Sequence, residues 1–60
     1  MNKLKELRQL RNYSQKFIAD KLGITQGAVS QWEQGKSKPN TEKLIELSKI
    51  LECSIDELLS

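Results

Sequence analysis

The sequence predicts an all-α domain of five short helices around one core. Three observations carry the prediction. Apolar residues recur at steps of three and four, the spacing of helices rather than of a half-buried strand. Residues suited to capping a helix precede the apolar-periodic segments: Asn2, Ser14, Thr25, Asn40 and Ser54. Turn-forming residues stand between those segments at Asn12, Gly23, Gly35 and Pro39.

The first helix is expected from about Lys3 to Arg11, with Asn2 as its cap and Leu4, Leu7 and Leu10 inward. Asn12 suits the left-handed conformation that ends many helices. Ser14 caps a second helix, Gln15 to Leu22, and Thr25 a third, Gln26 to about Gln34. Between them Gly23 sits where the chain must reverse, and glycine reaches positive φ without steric penalty. Gly35 stops the third helix. The stretch from Gly35 through Lys36, Ser37 and Lys38 to Pro39 is a loop, because Pro39 pushes Lys38 out of the helical region. Asn40 or Thr41 starts a fourth helix reaching about Leu51, with Leu44, Leu47, Ser48 and Leu51 inward. Ser54, Ile55, Asp56 and Glu57 fit a capping box that opens a fifth helix of one or two turns.

Length and composition exclude several classes of function. Sixty residues make a single domain, 1–60, that buries only ~60% of its unfolded surface and is marginally stable. Cys53 is alone and histidine is absent, so neither a disulfide nor a Cys/His zinc site is expected, and no cofactor. The apolar runs are far too short to span a bilayer, and the charged, leucine-bearing N-terminus is no secretory signal. A cytoplasmic protein is expected. An enzyme is not, because so small a helical domain offers scarcely any pocket for convergent catalytic groups or a small-molecule substrate.

The net charge of +2 is unevenly divided. Residues 1–38 hold eight basic side chains against the acidic Glu6, Asp20 and Glu33, whereas residues 39–60 hold only Lys43 and Lys49 against five carboxylates. Positive potential therefore gathers on the half containing the second and third helices.

The stretch QKFIADKLGITQGAVSQWEQ, Gln15 to Gln34, reads as a helix-turn-helix. Ala19 is small where the helices approach, Gly23 makes the turn, and Val29 locks the third helix against the second. Ile18, Leu22, Ile24 and Trp32 complete the inward side. Gln26, Gly27, Ser30, Gln31 and Gln34 remain outside on a polar, uncharged face whose amides and hydroxyls can exchange hydrogen bonds with base edges in duplex DNA. Gln26 and Gln31 are the expected main base readers, with Ser30 and Thr25 supporting; an N-terminal glutamine can pair bidentately with adenine. Gly27 shares the face but is expected to add no readout of its own. Phosphate contacts are expected from Ser14, Gln15 and Lys16, where the free amides of a helix start favour anions, and from Gln34, Lys36, Ser37 and Lys38 beyond the third helix.

The chain resembles the DNA-binding domain of the lambda repressor and Cro family. The resemblance runs from Leu4-Lys5-Glu6-Leu7-Arg8 through Ile18-Ala19 and Leu22-Gly23-Ile24-Thr25-Gln26. It continues through Val29 to Lys36 and Pro39, and on to Ser54-Ile55-Asp56-Glu57-Leu58-Leu59. It implies a compact five-helix domain that binds operator DNA as a symmetric homodimer and regulates transcription, as a phage-type or bacterial repressor. It also implies a partly buried ion pair between Arg8 and Glu33, tying the first helix to the third. Departures from the family pattern are Gly27, where a side chain often reads bases, and Phe17, where a small or charged residue is usual. Glu52 also departs, standing where glycine usually closes the fourth helix. Cys53 is expected as a small buried hydrophobe.

The last two helices carry more apolar residues than one core face needs. Ile45, Ile50, Leu58 and Leu59 are therefore candidates for a dimer contact, and a dimer suits symmetric half-sites about one helical turn apart. The competing expectation is an antitoxin-like protein-interaction module that docks a toxin or another regulator through the same two helices. It gives no reason for the uncharged polar face of the third.

Overall fold

The computed structural model describes residues 3–60. Five helices follow one another: α1 (Leu4–Leu10), α2 (Gln15–Leu22), α3 (Gln26–Gln34), α4 (Thr41–Leu51) and α5 (Ile55–Leu59). The last four open on a side-chain oxygen that accepts from an otherwise unpaired amide of the first turn. Ser14 Oγ accepts from the Phe17 N–H at 2.9 Å, Thr25 Oγ1 from Ala28 at 3.2 Å and Asn40 Oδ1 from Lys43 at 2.9 Å. Ser54 Oγ accepts from Glu57 at 3.0 Å while the Glu57 carboxylate accepts from the Ser54 amide at 3.2 Å, which is the expected capping box. The chain enters α1 from Lys3, which supplies no side-chain cap. The expected cap Asn2 lies outside the described residues.

One device closes the first four helices. In each, an amide reaches back five residues to a helix carbonyl: Tyr13 to Arg8 at 3.1 Å, Ile24 to Ala19 at 3.0 Å, Lys36 to Gln31 at 2.9 Å and Cys53 to Ser48 at 3.0 Å. The preceding residue takes the left-handed conformation this closure demands. Those residues are Asn12 (φ 60°), Gly23 (φ 69°), Gly35 (φ 77°) and Glu52 (φ 51°). Glu52 therefore closes α4 as glycine would, with a side chain in a region that costs ~1–2 kcal/mol for a residue bearing Cβ.

The core is Leu4 from α1, Ile18, Ala19 and Leu22 from α2, Val29 and Trp32 from α3, Leu47 and Leu51 from α4, and Leu58 from α5. Truncating one of the larger of these to alanine costs ~2–5 kcal/mol. That is comparable to the whole stability of a domain this size, roughly 3–9 kcal/mol. α2 and α3 pack chiefly on each other, α1 on α3, and α4 on α2 and α5. Lys43 of α4 donates to the Leu22 carbonyl at 2.9 Å, pinning α4 across the end of α2.

Some side chains lie elsewhere than expected. Leu10 is 78% exposed. At about 100° per residue it sits about 120° from Leu4, and the inward seat one turn after Leu4 belongs to Arg8. Leu58 is wholly buried, so it cannot form part of a dimer surface. Its seat follows from the Ser54 cap, which sets the rotation of α5. Ile50 is half-buried against the core and Leu44 likewise. Ser48 is half-buried and donates to the Ile45 carbonyl at 2.7 Å, and Cys53 is half-buried rather than enclosed. Among the described residues no helix is long and apolar enough to cross a membrane.

Candidate nucleic-acid interface

The two faces of α3 are set by which residues the core takes. With Val29 and Trp32 buried, Gln26, Gly27, Gln31 and Gln34 are left exposed and Ser30 half-exposed. The face bears amides and a hydroxyl and no charge. Gln34 donates to Ser30 Oγ at 2.9 Å across one turn, holding both side chains along the helix. At the start of α3, Thr25 spends an acceptor site on its cap and keeps its hydroxyl proton to donate. Gly27 has room beside it: a Cβ built there meets only Thr25 Oγ1, at 3.8 Å.

Arg8 and Glu33 form the ion pair the resemblance implies. Arg8 Nε donates to Glu33 Oε2 at 2.6 Å and Nη2 to Oε1 at 3.2 Å, with the two side chains 11% and 4% exposed. A third guanidinium N–H, on Nη1, reaches the Tyr13 carbonyl at 2.7 Å, so Arg8 joins α1, the α1–α2 turn and α3. Gln15 adds a fourth partner, its amide donating to Glu33 Oε1 at 3.0 Å. Burial alone would push the Glu33 carboxyl up. Hydrogen bonds from Arg8 and Gln15, with the charges of Arg8 and Lys5, outweigh it and hold the group below its ordinary value.

Gln15 does more than stand at a helix start. Its Oε1 accepts from Gln26 Nε2 at 3.5 Å, the outer edge of hydrogen-bond range, so the first residue of α2 touches the first residue of α3. Nothing in the sequence signals this link, because the two residues are brought together only by the turn at Gly23. Lys16 is paired with Asp20 at 3.0 Å on open surface, an interaction weak enough to yield to a phosphate. Lys36 and Lys38 are exposed past the end of α3, with Ser37 half-exposed between them. Phe17 rests on Tyr13 with ring centroids 4.5 Å apart, and Lys21 Nζ lies 5.5 Å from the Phe17 ring centre. Its packing is thus intramolecular. An open trough between α2 and α4, lined by Leu22, Gly23 and Ile50 and rimmed by Asp20, Lys21, Glu46 and Lys49, involves no residue of α3.

A short helix propped by its predecessor, polar outward and fixed at its start by a neighbouring cap, defines a helix-turn-helix domain. The helix-turn-helix family model matches residues 4–58, and the chain belongs to this family, in its lambda repressor and Cro form, a class of DNA-binding domains and not of enzymes. It is similar to the HTH-type transcriptional activator BcrR of Enterococcus faecalis, 45% identical over 58 residues, covering 97% of this chain and 28% of that protein. It is likewise similar to the uncharacterized HTH-type transcriptional regulator YqaE of Bacillus subtilis, 43% identical over 56 residues, covering 93% of this chain and 48% of that one. Repressor protein C2 of Salmonella phage P22 is 44% identical over 45 residues, covering 75% of this chain and 21% of the repressor. The chain thus spans less than half the length of each of these relatives. No solved structure matches the chain significantly.

Proposed function

We propose that this domain binds duplex DNA sequence-specifically by laying α3 in the major groove. It would act in the cytoplasm as a transcriptional regulator that represses by occupying its operator. The observation that carries the proposal is the outward face of α3, uncharged and hydrogen-bonding, on a helix propped from behind by Val29, Trp32 and the Arg8–Glu33 pair. Gln26 and Gln31 read base edges, with Ser30 and Thr25 supporting and the Gly27 backbone lying against the groove. Ser14, Gln15, Lys16, Gln34, Lys36, Ser37 and Lys38 hold the phosphates and set register.

Two copies bind together. The domain measures 24 × 23 × 19 Å, so two lie side by side on half-sites one turn, about 34 Å, apart. Ile45 and Leu59, 41% and 48% exposed, offer apolar surface for their contact, with the half-buried Ile50 a lesser candidate. The test is selection from random duplex at low salt, followed by ultracentrifugation on the selected site. The expected result is a two-fold symmetric sequence bound by two chains. Enrichment of no sequence would refute the proposal.

A further inference from the structure

The two ends of a glutamine amide are alike in shape and opposite in polarity, so a base-reading glutamine can offer either of two patterns. Around Gln26 the choice falls to the hydrogen-bonding groups packed behind it. The Arg8 guanidinium can only donate, and the ionised Glu33 carboxylate can only accept. Glu33 Oε1 lies 3.0 Å from the Gln15 amide nitrogen, so Gln15 must turn its NH2 toward it. That leaves Gln15 Oε1 facing Gln26, which must donate in turn. Gln26 keeps one N–H and its carbonyl free, the complement of adenine's N7 acceptor and N6 donor. With the chain of donors reversed, the Gln26 carbonyl would be turned back toward Gln15 and both N–H groups would face outward, the complement of guanine's N7 and O6.

We infer that Arg8 and Glu33 are specificity-positioning residues: through Gln15 they set the polarity of Gln26 and make it choose adenine over guanine. The inference rests on the reading above, in which α3 enters the major groove. Glu33→Gln keeps the shape of the side chain and supplies a donor. Its carbonyl stays with Arg8 Nε, the shortest contact at 2.6 Å, and its NH2 turns toward Gln15, giving up only the longer 3.2 Å bond that Oε1 accepts from Arg8 Nη2. The donor order then reverses along the chain to Gln26.

The experiment compares wild type, Glu33→Gln and Gln15→Leu by selection from random duplex. Side-chain amide NMR of each free protein accompanies it. Glu33→Gln is expected to lower the adenine-over-guanine preference at one symmetric position by roughly tenfold. The other selected positions, the half-site spacing and the salt dependence should be unchanged, and the Gln26 NH2 resonances should move while those of Gln31 stay. Gln15→Leu, lacking the middle link, should relax the same position, and adding Glu33→Gln to it should change nothing more. Adenine choice retained in Glu33→Gln with unmoved Gln26 resonances would overturn the inference, as would a uniform loss of affinity at every position. If Glu33→Gln fails to fold, Gln15→Leu decides alone, since undiminished adenine preference there contradicts the relay. A wild type that selects no sequence, with its amide link intact by NMR, overturns the DNA reading itself and the inference with it.

Discussion

Replacing Arg8 by methionine removes the junction on which α3 rests while keeping most of the buried stem. Three donated hydrogen bonds go: two to Glu33, at 2.6 and 3.2 Å, and one to the Tyr13 carbonyl, at 2.7 Å. The Glu33 side chain is only 4% exposed, so its charge cannot turn to water, and Gln15 alone still answers it. Breaking one half of a buried pair costs ~3–5 kcal/mol. Arg8 is 11% exposed and water reaches that end, so the low end is expected, about 3 kcal/mol at pH 7. For a domain this small the melting temperature should fall by roughly 12–24 °C.

Thermal and urea melts followed by circular dichroism at pH 7 and pH 4 measure this loss. The depressed Glu33 value of the wild type gives stability that is full above about pH 4.3 and lost as pH falls through the folded value. In Arg8→Met the effect of burial prevails, the folded value rises above the unfolded one, and protonation favours folding. The gap between the two proteins should therefore narrow on acidification. Arg8→Met/Glu33→Leu should recover part of the loss, leaving the Tyr13 carbonyl without its donor and the half-buried Gln15 amide without its acceptor. A single variant within ~0.5 kcal/mol of wild type at pH 7, or a gap unchanged at pH 4, would refute the reasoning, since a buried unpaired charge cannot be that cheap.

Glu52→Gly relieves a left-handed φ of 51° and gives up only the exposed 3.0 Å pair with Arg11. A net gain of ~0.5–1 kcal/mol in urea melts is expected, and a loss would contradict the strain. Gly27→Ala meets no clash and should stabilise α3 by up to ~1 kcal/mol. It should also leave the selected sequence unchanged, and an altered sequence would mean that bare backbone there is read. Lys36→Ala and Lys38→Ala should each lower the slope of log affinity against log salt by about 0.9 without changing base preference. An unchanged slope would place that lysine off the phosphates.

The helix boundaries were largely legible because they depend on neighbours in sequence. Ser14, Thr25, Asn40 and Ser54 cap amides three residues on, and Asn12, Gly23 and Gly35 end helices by their own backbone preferences. The outward face of α3 was legible for a similar reason, since Val29 and Trp32 fix its rotation. The misplacements have physical causes of the opposite kind. Leu10 looked like the next step of an apolar stripe, whereas the buried seat went to a charged residue whose partner lies 25 residues away. Leu58 and Leu59 are adjacent and chemically alike, and only the seating of a five-residue helix decides which is enclosed. The Gln15–Gln26 contact joins two polar side chains across a turn, and amphipathic spacing carries no record of such a pair.

Whether α3 is the helix that reads bases is decided most directly by one comparison. The affinity of wild type and Gln26→Ala/Gln31→Ala is measured on the selected duplex and on a scrambled duplex of equal length and salt. Loss of two base contacts worth ~1–3 kcal/mol each should weaken the selected complex by at least tenfold. The scrambled complex, held by phosphates alone, should be almost unaffected. Equal affinities of both proteins for the selected duplex, with the variant folded, would show that sequence is read from another surface.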